Sequence, residues 1–214
     1  MKDILIRESR ESDYQAIVDI NDAEVQYTSP MDIKRLHELD QYSAYHKVAE
    51  VDGNVVAFLL GMREKCSYQN ENYEWFSSRY DNFLYIDRIV VNAKFGGLKI
   101  GSMLYKDIFN YARSNGVPVI TCEYNIKPPN EPSRVFHRKF GFREIGTQWL
   151  DNGAKKVSLQ AAETWQETVG DQQRWPPGSV VSCPGEIKPL IREADIDDSG
   201  TISRMVSVLA EKFI

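Results

Sequence analysis

Between residues 95 and 104 the chain reads FGGLKIGSML. Gly96, Gly97 and Gly101 surround Lys99 where a strand-like stretch, FLYIDRIVVN, gives way to a helix-like one, SMLYKDIFNYARSNG. Glycines at such a junction have two uses. Either the turn needs room, or free N–H groups at the mouth of the helix cradle a phosphate that the missing side chains let come close. Two familiar phosphate loops do not fit. Gly96 to Ser102 spaces its glycines like a nucleoside-triphosphate loop but has no lysine after Gly101, and the dinucleotide pattern G-x-G-x-x-G is absent. A second stretch, DIDDSGTIS from Asp195, imitates a calcium loop with Asp195, Asp197, Ser199, Gly200 and Ile202. Its twelfth position, which should supply a bidentate glutamate, is Val206. No metal is expected.

The surrounding elements are readable from their periodicity. ILIRES from Ile4 alternates as a strand, and Asp13 is placed to cap a helix over residues 14–27, with Ile17, Ile20 and Val25 on one face. A second helix is expected over 32–42, and Asp52-Gly53-Asn54 marks a hairpin between two strands. SYQNENYEWFSSRYDN reads as a polar loop unusually rich in rings. A strand at 83–92, a helix at 101–114 and a strand at VPVITCEY form a right-handed crossover with parallel strands. Leu104, Ile108 and Tyr111 or Ala112 make that helix's inner face, and Gly116 ends it. A helix at 133–139 and two strands around Asn152-Gly153 complete the unit. The order predicts an α/β fold with a mixed, mostly antiparallel sheet, helices on both faces and one central parallel βαβ crossover.

Composition narrows the function classes. A chain of 214 residues with a net charge of −5 can bury a sizeable core and offers no basic footprint, so neither DNA nor RNA is an expected partner. Only Ile4, Leu5 and Ile6 run together before charge returns at the N-terminus. Neither a secretory leader nor a membrane span is expected, and the cytoplasm is the expected compartment. Cys66, Cys122 and Cys183 are too few and too scattered for a disulfide framework or a structural zinc site.

The run IVVNAKFGGLKIGSMLY, followed by NEPSRVFHRKFGF, resembles the GCN5-related N-acetyltransferase superfamily over roughly residues 4–160. FLYIDRIVV and CEYNIKPPNEPSRVFH are also similar to a predicted bacterial subgroup of that superfamily. The resemblance implies an acyl-CoA N-acyltransferase fold with acetyl-CoA as acyl donor. Its coenzyme-A loop reads Arg or Gln, two residues, Gly, one residue, then Gly or Ala. Its later helix begins with Asn and ends in Gly-Phe. Asn130, Ser133, Phe136, Gly141 and Phe142 match the helix, and Gly101 matches the loop, with Gly97 its frequent companion. Three positions depart: Gly96 stands for the Arg or Gln, Lys99 for the first glycine, and His137 for a tyrosine. If position 99 requires φ > 0 or a closely approaching phosphate, its lysine carries strain; if not, its ammonium compensates for the missing arginine.

By the same resemblance a main-chain N–H near Ile89 polarises the thioester. Val90 and Val91 follow it along the pantetheine, and the amides of Leu98, Lys99, Ile100, Gly101 and Ser102 hold the pyrophosphate. Acetyl transfer needs a neutral amine, a held carbonyl and a proton for the departing thiolate. His137 either supplies that proton or is satisfied within its own helix. Asp87 and Glu123 are the candidate bases, since burial between strands raises a carboxylate's pKa. Asp87 alternatively pairs with Arg88 or Arg79, and Glu123 alternatively anchors the sheet. Trp75 and Tyr85, with Tyr68, Tyr73, Phe76 and Tyr80, either line an acceptor pocket or pack as core. Arg79 is available there for a substrate carboxylate, and Asn125 either orients a substrate or caps a turn.

The expected activity is acetyl transfer to a small-molecule or protein amine in a direct ternary complex. The alternative is a non-catalytic acyl-CoA-binding or regulatory module. The catalytic domain is expected over 1–163 and a proline- and glycine-rich linker over 164–189. Residues 190–214 read as a partial repeat of the start, LIREADIDDSGTISRM matching LIRESRESDYQAIVDI. Such a piece docks, stays mobile or exchanges with another subunit, the last giving a homodimer.

Overall fold

The computed structural model describes residues 3–25 and 28–165. β1 (Ile4–Glu8) leads into α1 (Tyr14–Ala23) and α2 (Ile33–Tyr42). The hairpin β2 (Ser43–Val51) and β3 (Asn54–Arg63) turns at Asp52 and Gly53, with φ of 51° and 80°. Positive φ at both turn positions is the geometry that Asp-Gly favours. α3 (Glu71–Ser77) precedes β4 (Leu84–Val91), α4 (Ile100–Ser114) and β5 (Val119–Lys127). α5 (Glu131–Lys139) and the hairpin β6 (Arg143–Leu150) and β7 (Lys155–Glu163) follow. The seven strands form one sheet in the order β1-β2-β3-β4-β5-β7-β6, antiparallel except for β4 beside β5.

Each face of the sheet carries its own core. Leu104, Ile108 and Ala112 of α4 and Phe136 of α5 bury against one face, with Leu84, Ile86, Ile120 and Cys122. Ile17 and Ile20 of α1, Leu36 and Leu39 of α2, and Tyr73 and Phe76 of α3 bury against the other, with Phe58, Leu60 and Tyr85. Strand alternation sends successive side chains to opposite faces, so strands buried on both sides read as continuous apolar runs.

Two irregularities in β4 make room for a site. Against β3, Leu60 faces Arg88 and Gly61 faces Ile86, so Asp87 is the extra residue of a β-bulge. Against β5, β4 pairs only at Leu84 with Ile120 and Tyr85 with Thr121. Beyond that point the edge of β4 toward β5 has no strand partner, and a gap opens through the sheet.

Several local expectations change. α1 ends at Ala23, short of residue 27. Asp13 does not cap it; its carboxylate takes Arg7 Nη1 at 2.7 Å, Arg7 Nη2 at 3.0 Å and the Arg10 N–H at 2.9 Å. The ring-rich segment expected as a loop contains α3, capped by Asn70 Oδ1, which accepts from the N–H of Asn72 at 2.9 Å and of Tyr73 at 3.1 Å. Thr164 is still tied to the fold: its N–H donates to Pro118 O at 2.9 Å and its Oγ1 to Val117 O at 2.7 Å. Residues 166–189 of the expected linker, with Cys183 among them, the partial repeat and the calcium-like stretch lie outside the described residues. Among the described residues no helix is long and apolar enough to cross a membrane, and no group of His, Cys, Asp or Glu is arranged to hold a metal.

Candidate active site

The glycine run of residues 95–104 forms the mouth of α4. A short turn at Ala93–Phe95 is capped by Asn92 Oδ1, which accepts the Lys94 N–H at 3.0 Å. Gly97 follows with φ of 81°, and Lys99 precedes the first helical residue with φ of 58°. Position 99 thus takes the left-handed conformation that disfavours a side chain. The first helical hydrogen bond runs from the Met103 N–H to Lys99 O at 3.0 Å, and by helix geometry the N–H groups of Ile100, Gly101 and Ser102 have no acceptor within the helix. Ser102 Oγ is buried there without a hydrogen-bond partner.

A cleft starts at this mouth and runs along β4. Ile89, Val90, Val91, Asn92, Ala93, Gly96 and Gly101 line one side. Asn130, Ser133, Phe136 and His137 of the α5 region, with Glu24 and Thr28, line the rest. Leu98, Lys99, Ile100 and Ser102 are not among the lining residues and adjoin the cleft through the loop and the helix mouth. A Cβ on Gly101 would stand 3.5 Å from the Phe136 ring and 3.7 Å from Val91 Cγ2. It would enter the cleft without colliding with either wall. A glycine on the cleft wall, orphan helix N–H groups and an unpartnered buried hydroxyl fit a ligand with a diphosphate and a slender chain.

α5 is built around Asn130, whose Oδ1 accepts the Ser133 N–H at 3.1 Å. Its inner face carries Phe136 and His137. His137 Nδ1 lies 2.7 Å from Ser133 O and 3.2 Å from Ser133 Oγ, and its Nε2 lies 2.8 Å from the Tyr105 hydroxyl. The carbonyl requires a donor, so the arrangement assigns the proton to Nδ1 and makes Nε2 the acceptor of the Tyr105 O–H. Burial pushes the His137 pKa down to about 4, against a smaller upward pull from the Ser133 carbonyl. A neutral ring with both nitrogens engaged does not serve as a proton donor near neutral pH. Of the two sequence readings of His137, the geometry supports the satisfied helix histidine.

The carboxylates gather on the opposite face, beside the gap. Glu123 Oε1 accepts the Tyr85 hydroxyl at 2.9 Å, and Oε2 is closed to solvent without a partner. Burial, then the negative charge of Asp87, push the Glu123 pKa up to about 8; the hydrogen bond from Tyr85 pulls the other way. Asp87 accepts the Tyr68 hydroxyl on one oxygen and Arg88 Nε at 2.7 Å on the other. Its ion-pair partner is therefore Arg88, not Arg79.

The expected acceptor residues divide. Tyr85 is fully buried within a cluster of rings including Tyr68, Tyr73 and Phe76, and reaches the site only through its hydroxyl on Glu123. Asn125 is buried two residues beyond Glu123 on β5, and its carbonyl accepts the Asn130 N–H at 2.9 Å. Trp75 and Arg79 are not brought to the cleft. The Arg79 guanidinium stacks 3.6 Å over the Trp75 ring, which presses on Gly146 of β6. Residues the sequence reading missed are Glu24 and Thr28 in the cleft and Asn72 near Glu123. Nothing in the local text of Glu24 marks it, because the α1–α2 segment reaches the cleft only through tertiary packing.

A sheet that opens at its one parallel pair, with a glycine-mouthed helix on one face and a raised-pKa carboxylate on the other, defines an acyl-CoA N-acyltransferase fold. Comparison with known proteins agrees. Residues 6–142 match the acetyltransferase (GNAT) family model, and the chain belongs to that family of acetyl-CoA-dependent N-acetyltransferases. Solved structures with the same fold include Ard1 from Thermoplasma volcanium, at 16% identity and a TM-score of 0.63, covering 76% of this chain and 99% of that one. The ribosomal-protein-S18-alanine N-acetyltransferase from Escherichia coli matches at 13% identity and 0.60, covering 81% and 100%. An N-acetyltransferase from Staphylococcus aureus Mu50 matches at 22% identity and 0.57, covering 76% and 99%. No curated protein sequence matches the chain.

Proposed function

We propose that the protein transfers acetyl from acetyl-CoA to a primary amine, on a small molecule or a protein, in a direct ternary complex. The observation that carries this reading is Glu123, a carboxylate with a pKa of about 8 beside the β4–β5 gap, across the sheet from the glycine-mouthed cleft. The N–H groups of Ile100, Gly101 and Ser102 would hold the cofactor's diphosphate. The unpaired edge of β4 at Ile89–Val91 would align the pantetheine and polarise the thioester carbonyl. Asn130, Ser133 and Phe136 would close the far wall.

The amine nitrogen attacks the acetyl carbon, the C–S bond breaks, and the amine's proton passes to Glu123 directly or through one water. A base poised near 8 accepts that proton while an appreciable fraction stays ionised at neutral pH. The leaving thiolate has a reference pKa of about 8.5, so it departs without a dedicated acid and then takes up a proton. His137 contributes by fixing Tyr105 and Ser133 behind the cleft. Asp87 supplies charge beside Glu123.

A second reading, a non-catalytic acyl-CoA-binding module, is favoured by Lys99 at φ of 58° and by the engaged ring of His137. Thiol release from acetyl-CoA over a panel of amines, run beside calorimetry with coenzyme A, separates the two. Turnover of at least one amine supports the enzyme; binding with no turnover on any acceptor supports the module.

A further inference from the structure

Glu24 lines the cleft, yet the reaction as drawn gives it nothing to do. It follows the last residue of α1, and the chain on either side of it is fastened to β4 by Arg88. Arg88 Nη1 reaches Asn21 Oδ1 at 3.1 Å and Ser29 O at 3.3 Å, and Nη2 reaches Ser29 Oγ at 3.1 Å. Arg88 directly precedes Ile89, so this wall meets the cleft at the end assigned above to the thioester, not at the glycine mouth. α1 packs on the face of the sheet where Glu123 bonds Tyr85, whereas Phe136, which lines the same cleft, packs on the other. The cleft thus draws on both faces where β4 parts from β5, and Glu24 stands on the side open to an acceptor.

The Glu24 carboxylate has no partner. Its bonds are made by the main chain: the N–H donates to Asn21 O at 3.0 Å, and the carbonyl accepts the Thr28 N–H at 3.2 Å and Oγ1 at 3.3 Å. Among the described residues no hydrogen bond or ion pair reaches its side-chain oxygens. The side chain is half-buried, and burial holds its pKa above the usual carboxylate value. Cations of this face are committed elsewhere. Arg88 Nε bonds Asp87 Oδ2 at 2.7 Å and Arg35 Nη1 bonds Glu38 Oε2 at 3.2 Å, and neither reaches Glu24. A carboxylate partly removed from water with no cation beside it is half of an ion pair.

We propose that Glu24 is the acceptor's ammonium subsite: it receives the amine as a cation where the cleft opens beside Ile89, and so selects amines that carry no carboxylate on the carbon next to nitrogen. The inference rests on the reading of the cleft as an acyl-CoA site. An alkylammonium completes the ion pair through charge-assisted hydrogen bonds. An α-amino acid brings its own carboxylate against Glu24, and the like charges repel. Glu24 binds and discriminates; the proton step stays with Glu123.

The test reads binding, so it needs no turnover. The full chain is saturated with coenzyme A at neutral pH, and n-butylamine, norvaline and n-butanol are titrated in turn by NMR. Norvaline is butylamine with a carboxylate on the carbon beside nitrogen, and butanol is its uncharged analogue. Butylammonium is expected to bind about tenfold or more tighter than either. Glu24→Gln is expected to weaken butylammonium by about tenfold while coenzyme A, measured by calorimetry, stays within about twofold of native. Glu24→Lys is expected to reverse the preference in favour of norvaline. The proposal is overturned if the native complex binds norvaline as tightly as butylammonium or binds no butylammonium, if Glu24→Gln leaves its affinity unchanged, or if Glu24→Lys keeps the native preference. Coenzyme A binding separates the two failures. A protein that binds coenzyme A without the ammonium preference refutes the subsite alone, and one that binds no coenzyme A refutes the acyl-CoA reading and the subsite with it.

Discussion

His137 stands where the family pattern has a tyrosine, and its surroundings show what the exchange did. The ring is neutral, donates to Ser133 O and accepts from Tyr105, and its pKa lies near 4. An unfolded chain would protonate the same ring at about 6.5, so between pH 6.5 and 4 the unfolded state binds more protons and native stability falls as pH falls. Integrated across that window the loss approaches about 3 kcal/mol. His137→Phe removes the linkage but strands the buried Tyr105 hydroxyl, which costs about 1–3 kcal/mol near pH 7.5. Urea unfolding of both proteins should therefore show a less stable variant at pH 7.5 and a gap narrowed by about 2 kcal/mol at pH 5. An equal gap at the two pH values would contradict the assigned protonation. The sequence named Asp87 and Glu123 because a carboxylate in a buried strand is conspicuous. It left the partner of Asp87 open between Arg88 and Arg79, because strand alternation alone would send Arg88 to the opposite face. Only the bulge, which no residue type announces, puts the two side by side.

α4 and its glycine mouth were legible, since a strand, a glycine cluster and an amphipathic helix are each marked by residue type. The conformation at Lys99 was posed as a condition and is now decided: φ is 58°. Replacing the lysine with glycine relieves the left-handed strain, whereas alanine keeps its Cβ and the strain with it. Lys99→Gly should thus be more stable than Lys99→Ala by about 1 kcal/mol in urea unfolding. Alanine equal to or better than glycine would show that the loop relaxes to negative φ. α3 was not legible as a helix because seven residues give too short a period. Its signal was the Asn70 cap, with Glu71 and Glu74 in the first turn. Missing that helix misplaced Trp75 and Arg79: from α3 the indole meets Gly146 of β6 instead of the cleft.

The chain's architecture follows from its order of elements. A hairpin, a crossover and a closing hairpin predict a mixed sheet with helices on both faces, and that sheet is present. The insertion of β7 between β5 and β6 was not readable, since a hairpin pairs identically whichever of its strands faces inward. The gap was not readable either, because it consists of pairing that stops after Tyr85 and Thr121. In the proposed reading the gap gives the fold its function: it would let the cofactor on one face and Glu123 on the other act on the same atoms.

The pH dependence of kcat/KM for thiol release, with the best amine of a panel, tests that claim most directly. The native enzyme should gain activity as pH rises through about 8 and then level off, because Glu123 must lose its proton to act. Glu123→Gln should be about 10²–10⁴-fold slower with no inflection there. A Glu123→Gln protein that binds coenzyme A and turns over at the native rate, with the native profile, would contradict the account.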